Sequence, residues 1–335
     1  MSDPMAANDA QSGARLVAGA DMSVIADDME RAERVLAEAA MSQAHPLVSE
    51  AALHLIRAGG KRVRPALVLL STHAGRRGLR SSDLSAAAIE LVHIATLYHD
   101  DVIDETDTRR GVPTAHSKWG VEVAVLAGDY LFARGCALGA EAGGEVPAIL
   151  ARAIGLVCEG QIMETAVLHD PTRSVDNYLA VIERKTAALF EAACDLGAAT
   201  AGVATEKRVA LASYGRDLGL AFQIVDDVLD LVGDPRVTGK EPGSDLREGV
   251  LTLPVLLAAQ RDPDLGTRLQ DGERDLAALL PAIGSSGGVA EAMDVARRHT
   301  DRASSVLARL DGSAAVPALK ALLQGVLAQA RPHLT

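Results

Sequence analysis

Two five-residue stretches of the chain repeat one chemical pattern: Asp100-Asp101-Val102-Ile103-Asp104 and Asp226-Asp227-Val228-Leu229-Asp230. Each sits inside strongly apolar, helix-periodic sequence, where an ionised carboxylate without a partner is costly to bury. In the first stretch His93, Thr96, Asp100 and Asp104 share one helix face. In the second, Gln223, Asp226, Asp227 and Asp230 form a polar stripe beside the apolar stripe of Tyr214, Leu218, Phe222, Val225, Leu229 and Val232. Carboxylates four residues apart on a helix stand roughly 5–6 Å from one another, and they repel unless a cation lies between them. Hard oxygen donors with no set of His or Cys ligands suit Mg2+, which keeps waters and completes its shell with substrate phosphates. A solvated acidic face is the plain alternative. The repetition, the shared spacing and the apolar flanks favour metal binding over it.

Cations accompany the acids. Lys61, Arg62 and Arg64 follow the Gly59-Gly60 turn, and Arg109-Arg110-Gly111 begins five residues after Asp104. Arg184-Lys185-Thr186 interrupts another apolar helix, and Lys240 lies between Gly239 and Gly243 in a Gly/Pro-rich stretch that reads as a mobile lid. An acidic chain that keeps Lys and Arg close to aspartates is built to hold a polyanion, with metal on one side and basic side chains on the other. Arg76, Arg77 and Arg80 read as solvated surface, and Trp119, the single tryptophan, as packing.

The elements that must position these groups are helices. Apolar residues recur at helical spacing from Asp21 almost to the end, with helices expected over 22–40, 47–58, 65–75, 82–104, 118–140, 146–169, 174–202, 206–232, 250–260, 266–282, 286–310 and 315–332. No alternating run long enough for a sheet appears, and no repeat of 20–50 residues. Hydrophobic residues make up 48% of the 335, yet aromatics only 2%, so Ala, Leu and Val must fill a close-packed helical core. The expected fold is one all-α domain over 21–335, with helices ringed around a central cavity, preceded by a disordered tail over 1–20. A net charge of -12 excludes nucleic acid or anionic lipid as a main partner. No stretch reads as the uncharged apolar run of a membrane span, and the N-terminus has no apolar signal segment, so the chain reads as cytoplasmic. Cys136, Cys158 and Cys194 are too scattered for a disulfide framework or zinc site and read as small buried residues.

GGKRVRP (59–65), LYHDDVIDETDTRRG (97–111), LAGDYLF (126–132), KTA (185–187), FQIVDDVLD (222–230) and GKEPGSDLREGVLTLP (239–254) together resemble the trans-polyprenyl diphosphate synthases. The resemblance implies the all-α isoprenoid synthase bundle, a homodimer, and head-to-tail 1′-4 condensation of an allylic diphosphate with isopentenyl diphosphate. It implies that Asp100, Asp104 and Asp226, with Asp101, Asp227 and Asp230, hold several Mg2+ ions against the allylic diphosphate so that the C–O bond ionises. By the same resemblance Arg109, Lys185, Thr186, Gln223 and Lys240 contact the allylic group, and Lys61, Arg64, His93 and Arg110 grip isopentenyl diphosphate. Where short-chain relatives carry bulky aromatics before the first motif, this chain has Ala95 and Thr96. That implies a medium- to long-chain product, with Phe132 as a candidate tunnel floor. A short-chain (farnesyl or geranylgeranyl) synthase is the alternative. A terpene cyclase would carry Asn and Ser or Thr in its second metal motif, a head-to-head enzyme would not need GGKRVRP, and a non-catalytic subunit would have lost aspartates or basic residues. The C-terminal ARPHLT lacks the basic cluster that closes some short-chain relatives.

Overall fold

The computed structural model describes residues 20–233, 242–273, 275–310 and 312–330. In chain order the helices are α1 (Ala26–Ala40), α2 (Pro46–Arg57), α3 (Val63–Thr72) and α4 (Arg80–Ile103), then a hairpin of two-residue strands, β1 (Thr108–Arg109) and β2 (Val112–Pro113). There follow α5 (Ala115–Trp119), α6 (Val121–Ala142), α7 (Val146–Thr165), α8 (Val175–Ile182), a π-turn (Glu183–Ala187), α9 (Ala188–Thr200) and α10 (Thr205–Val232). The remainder is α11 (Ser244–Glu248), α12 (Leu253–Arg261), α13 (Pro263–Gln270), α14 (Leu276–Ser285), α15 (Gly288–Val306) and α16 (Val316–Ala330). The all-α expectation holds. All but one residue of the expected tail, 1–20, lies outside the described residues.

Helix α4 is the axis of the bundle. Every residue from Ser82 to Val92 is buried, so it is enclosed on all sides, as a helix apolar around its whole circumference must be. Small residues let its neighbours close in. A side chain at Gly135 of α6 would press on the Ala88 carbonyl and Val92 of α4, and one at Gly197 of α9 would collide with the Val68 carbonyl of α3. Ala88, Ala95, Ala193 and Ala221 are all fully buried, which is how a chain with so few aromatics reaches native packing density. At the far end α10 packs along α15, where buried Asp217 accepts a 2.7 Å hydrogen bond from His299 and another from Arg302.

Several expectations are corrected. The single helix expected over 174–202 is interrupted by the π-turn, and the one over 118–140 is broken at Gly120, whose φ of 87° suits glycine alone. The one over 266–282 is likewise two helices, parted at Gly272. Cys194 is buried, but Cys136 and Cys158 are exposed, because α6 and α7 each turn one apolar face outward from the bundle. Those two helices are also long and apolar enough, by length and composition, to cross a membrane, contrary to the reading of the sequence. Their inward faces pack on α4 and the π-turn, and their outward faces carry Val125, Leu126 and Ile162.

Candidate active site

The two aspartate motifs end α4 and α10 and open on one cleft of about 450 Å³. Its wall includes Asp104 from the first motif, Asp227 from the second, and Lys185, Thr186 and Gln223 between them. Lys185 and Thr186 sit in the π-turn, a widened helical turn of the kind that recurs at functional sites. Lys185 Nζ pairs with Glu164 of α7. Burial pulls the Lys185 pKa down, but Glu164, Asp100 and Asp104 outweigh it and hold the ammonium above its usual value. A cation thus reaches from the π-turn to the first aspartate motif.

The six aspartates fall into two classes that spacing alone does not separate. Asp104 and Asp226 are exposed, Asp104 on the cleft wall, and Asp100 is half-buried. Asp101, Asp227 and Asp230 are engaged by the protein itself. Asp101 is buried and paired with Arg109, though its second oxygen Oδ2 has no partner. Asp227, also buried, accepts the Tyr178 hydroxyl and, at 2.7 Å, the Gln223 amide. Gln223 in turn accepts from the Thr186 hydroxyl at 2.7 Å, which ties the π-turn to the second motif. Asp230 accepts the backbone N–H groups of Ser244 and Asp245, both at 3.2 Å, at the start of α11.

These carboxylates fit a divalent cation. Burial, then the neighbouring Asp104 and Asp101, push the Asp100 carboxyl up to about 6 despite Lys185 and Arg109 nearby. Burial raises Asp101 and Asp227 as well, the latter with Asp226 and Glu164 close. Groups that resist their own charge to this degree are relieved by a hard cation. Among the described residues no three His, Cys, Asp or Glu side chains converge on one point. That suits an ion which takes one or two carboxylates from the protein and the rest of its shell from substrate phosphates and water.

A second cluster of basic residues gathers around His93 of α4. Arg64 is half-buried, with its guanidinium 4.8 Å from the Phe190 ring centroid and its Nε buried without a partner. Burial, with Arg110 nearby, lowers its pKa to about 10 even though Glu90 opposes the shift. His93 is driven well below its usual value by burial and by Arg64, Arg110, Arg109 and Arg62, so it is a neutral imidazole among guanidiniums. Lys61 Nζ stands 5.3 Å from the Phe222 ring centroid. Such a concentration of positive charge suits an anion. Arg62 does not join it. Its left-handed backbone (φ 48°) turns the side chain inward to Glu33 at 2.6 Å and the buried Glu90 at 3.1 Å, where it holds the turn that presents Lys61 and Arg64.

Of the remaining candidates, Lys240 lies outside the described residues. Ala95 is fully buried, and the Thr96 hydroxyl bonds back to the His93 carbonyl at 2.7 Å. The Phe132 ring lies 5.4 Å from that of His99. Helices α4 and α6 run antiparallel, with Gly128 against His99 and Gly135 against Ala88 and Val92, which sets Phe132 opposite the turn of α4 carrying Ala95. None of these three lines the cleft itself. Inspection of the sequence missed Glu164, Tyr178 and Arg173. Glu164, one of two glutamates in the largely apolar helix Val146–Thr165, was the one signal for them. Arg173 is buried, donates to the Leu251 carbonyl at 2.9 Å and stacks on Tyr178.

Comparison with known proteins agrees with this geometry. The family model described as polyprenyl synthetase matches residues 45–275. The chain is 36% identical over 324 residues to nonaprenyl diphosphate synthase of Mycobacterium tuberculosis, covering 92% of this chain and 96% of that one. It is 39% identical over 290 residues to heptaprenyl diphosphate synthase component 2 of Geobacillus stearothermophilus, covering 85% and 90%. Its fold matches the crystal structure of a polyprenyl synthase from Caulobacter crescentus, complexed with calcium and isoprenyl diphosphate. The TM-score is 0.86 at 36% identity, over 94% of this chain and 97% of that one. With its paired aspartate motifs on one cleft and a separate basic site beside them, the chain belongs to the polyprenyl synthetase family and is a prenyltransferase of the trans-polyprenyl diphosphate synthase type.

Proposed function

We propose that the protein condenses isopentenyl diphosphate with an allylic diphosphate, 1′-4 and trans, and repeats the step to a medium- or long-chain polyprenyl diphosphate. The observation that carries this reading is the single cleft shared by both aspartate motifs with Lys185 and Thr186 between them. Asp100, Asp104 and Asp226 are the carboxylates that would hold Mg2+, while Asp101, Asp227 and Asp230 also keep the two helix ends in place. Bound Mg2+ would neutralise charge on the departing pyrophosphate. Lys185, Thr186, Gln223, Arg109 and Lys240 orient the allylic diphosphate. Lys61, Arg64, His93 and Arg110 hold isopentenyl diphosphate, and neutral His93 serves there as a hydrogen-bond donor. The apolar walls keep water from the allylic cation. The protein acts in the cytoplasm as a homodimer, and the outward apolar faces of α6 and α7, with Val125, Leu126 and Ile162 exposed, support pairing through that side. The test is one incubation of purified protein with Mg2+, isopentenyl diphosphate and a set of allylic primers, with product length read by chromatography. No product with any primer would refute the reading, and it would favour a subunit that needs a second component.

The two anion sites predict a division of labour. Lys61→Ala, Arg64→Ala and Arg110→Ala should each raise KM for isopentenyl diphosphate by on the order of tenfold or more, the worth of a charge-assisted hydrogen bond. KM for the primer should change little. Lys185→Ala should fall mainly on the allylic side. Steady-state kinetics with each substrate varied in turn checks this, and equal losses on both substrates in all four variants would contradict two separate sites.

Product length is expected to depend on Ala95. A prenyl tail whose diphosphate sits at Asp100 must pass Ala95 and Thr96, and each open turn of helix adds about 5.4 Å of depth. Ala95→Tyr should therefore shorten the product, which in the wild type runs beyond twenty carbons. An unchanged product from Ala95→Tyr would place the tunnel elsewhere. A wild-type product of fifteen or twenty carbons would favour the short-chain alternative.

A further inference from the structure

The hairpin between α4 and α5 carries Arg109 and Arg110 in a strained backbone. Glu105 (φ 50°), Arg110 (φ 54°) and Gly111 (φ 73°) are all left-handed. Glycine tolerates that region, but Glu105 and Arg110 do so only where their surroundings hold them. The ladder is short: it pairs Thr108 with Pro113 and Arg109 with Val112, and Thr114 N–H closes its base on the Asp107 carbonyl at 2.9 Å, so contacts outside the hairpin must help to hold its shape. On one side the hairpin is tied to α4, by Thr106 N–H to the Asp101 carbonyl at 3.0 Å and by the ion pair of Arg109 with Asp101.

The other side rests on the end of α2. There Gly59 N–H bonds to the Ile56 carbonyl, which leaves the Leu55 carbonyl free of its helical partner. The Arg110 guanidinium donates to the Leu55 carbonyl at 2.9 Å and to the Gly59 carbonyl, a favourable place for a cation at a helix C-terminus. These bonds aim the guanidinium and leave the hairpin main chain unsecured. The main chain is held by His54, in the last turn of α2, whose Nε2 lies 2.7 Å from the Pro113 carbonyl oxygen. A carbonyl only accepts, so Nε2 carries the proton. The His54 ring is set edge-on by Trp119, with centroids 5.0 Å apart and planes at 78°. Lys118 Nζ lies 4.3 Å from the centroid of the Trp119 ring.

We propose that His54 is a positioning residue of the isopentenyl diphosphate site: it clamps the hairpin to α2 and so keeps Arg110 aimed at the substrate, with Trp119 orienting the clamp. The proposal rests on the two-anion-site reading above. It also predicts which substrate suffers. Arg109 is tethered to Asp101 on α4 and Arg110 to the Leu55 and Gly59 carbonyls at the end of α2, the helix that carries His54, so loosening the clamp falls on isopentenyl diphosphate rather than on the primer.

The test compares His54→Leu, which removes the donor, with His54→Gln, whose amide nitrogen is as many bonds from Cβ as Nε2. For each, KM is measured for both substrates. Limited trypsin cleavage at Arg109–Arg110–Gly111 is timed without substrate, which reads the hairpin independently of activity. His54→Leu should raise KM for isopentenyl diphosphate about five- to tenfold, the worth of one net hydrogen bond, leave the primer KM within about twofold, and be cleaved several-fold faster. His54→Gln should restore both. Wild-type cleavage of His54→Leu overturns the clamp. Faster cleavage with neither KM changed overturns the positioning role, and Arg110→Ala then shows separately whether the anion-site reading stands.

Discussion

Asp100→Ala and Asp226→Ala are each expected to lower kcat by on the order of 10²–10³, the usual loss when one preorganised stabiliser of transition-state charge is removed. A chelator should abolish turnover altogether. The structure sharpens the expectation for the other four. Asp104, exposed at the mouth of the cleft, should behave like Asp100. Asp101 already gives one oxygen to Arg109, Asp227 gives both to Tyr178 and Gln223, and Asp230 gives both to the amides that start α11. Replacing these three by Asn keeps shape and one acceptor, so the loss should appear more in thermal stability than in kcat. Single-turnover rates and melting curves, with and without Mg2+, separate the two classes. Near-normal turnover in Asp100→Ala or Asp226→Ala would sink the two-cluster metal site.

Gly160→Ala should lower kcat about a hundredfold although it removes no charged or polar group, since a misplacement of roughly 1 Å in a catalytic side chain can cost that much. A β-carbon at Gly160 of α7 would lie 2.5 Å from the Lys185 nitrogen, 2.9 Å from its Cα and 3.0 Å from the Arg184 Cβ. The nearest of these are main-chain atoms and cannot swing aside. The π-turn must shift, carrying Lys185 away from Asp100 and breaking the Thr186–Gln223 hydrogen bond that braces Asp227. Gly155→Ala, on the same helix with nothing within 4 Å of the added carbon, is the control and should turn over normally. A Gly160→Ala enzyme with wild-type kcat and wild-type KM for the primer would mean that the close approach of α7 does not set the position of Lys185.

The contrast between Gly160 and Gly59-Gly60 shows where reading the sequence stops. Gly59-Gly60 announces itself, because a helix stop followed by a basic cluster is a local pattern. Gly160 lies mid-helix between Glu159 and Gln161 with no turn signal beside it, and its partner, the π-turn, is 25 residues further along the chain. Arg62 and Arg64 likewise look alike as neighbours in one basic motif. A left-handed φ at Arg62 sends one guanidinium to Glu33 and Glu90, while the other remains in the anion site. Cys136 and Cys158 were misjudged for a related reason: helical periodicity identifies an apolar face but does not say whether this chain or something else covers it.

Local pattern therefore determined the helical class, the two carboxylate motifs, their suitability for a hard divalent cation and the basic clusters beside them. Residue type and 3.6-residue spacing are sufficient for each of these, since they concern one stretch of chain at a time. Tertiary structure alone decided that Asp101, Asp227 and Asp230 are engaged by distant residues, that Lys185 stands on a π-turn pressed by Gly160, that Glu164 pairs with Lys185 and Tyr178 with Asp227, and that His54 and Trp119 pack beside the arginine hairpin. Each of these depends on atoms brought together from distant parts of the chain, and a carboxylate's freedom to bind a cation depends on whether another helix has already supplied its hydrogen bonds.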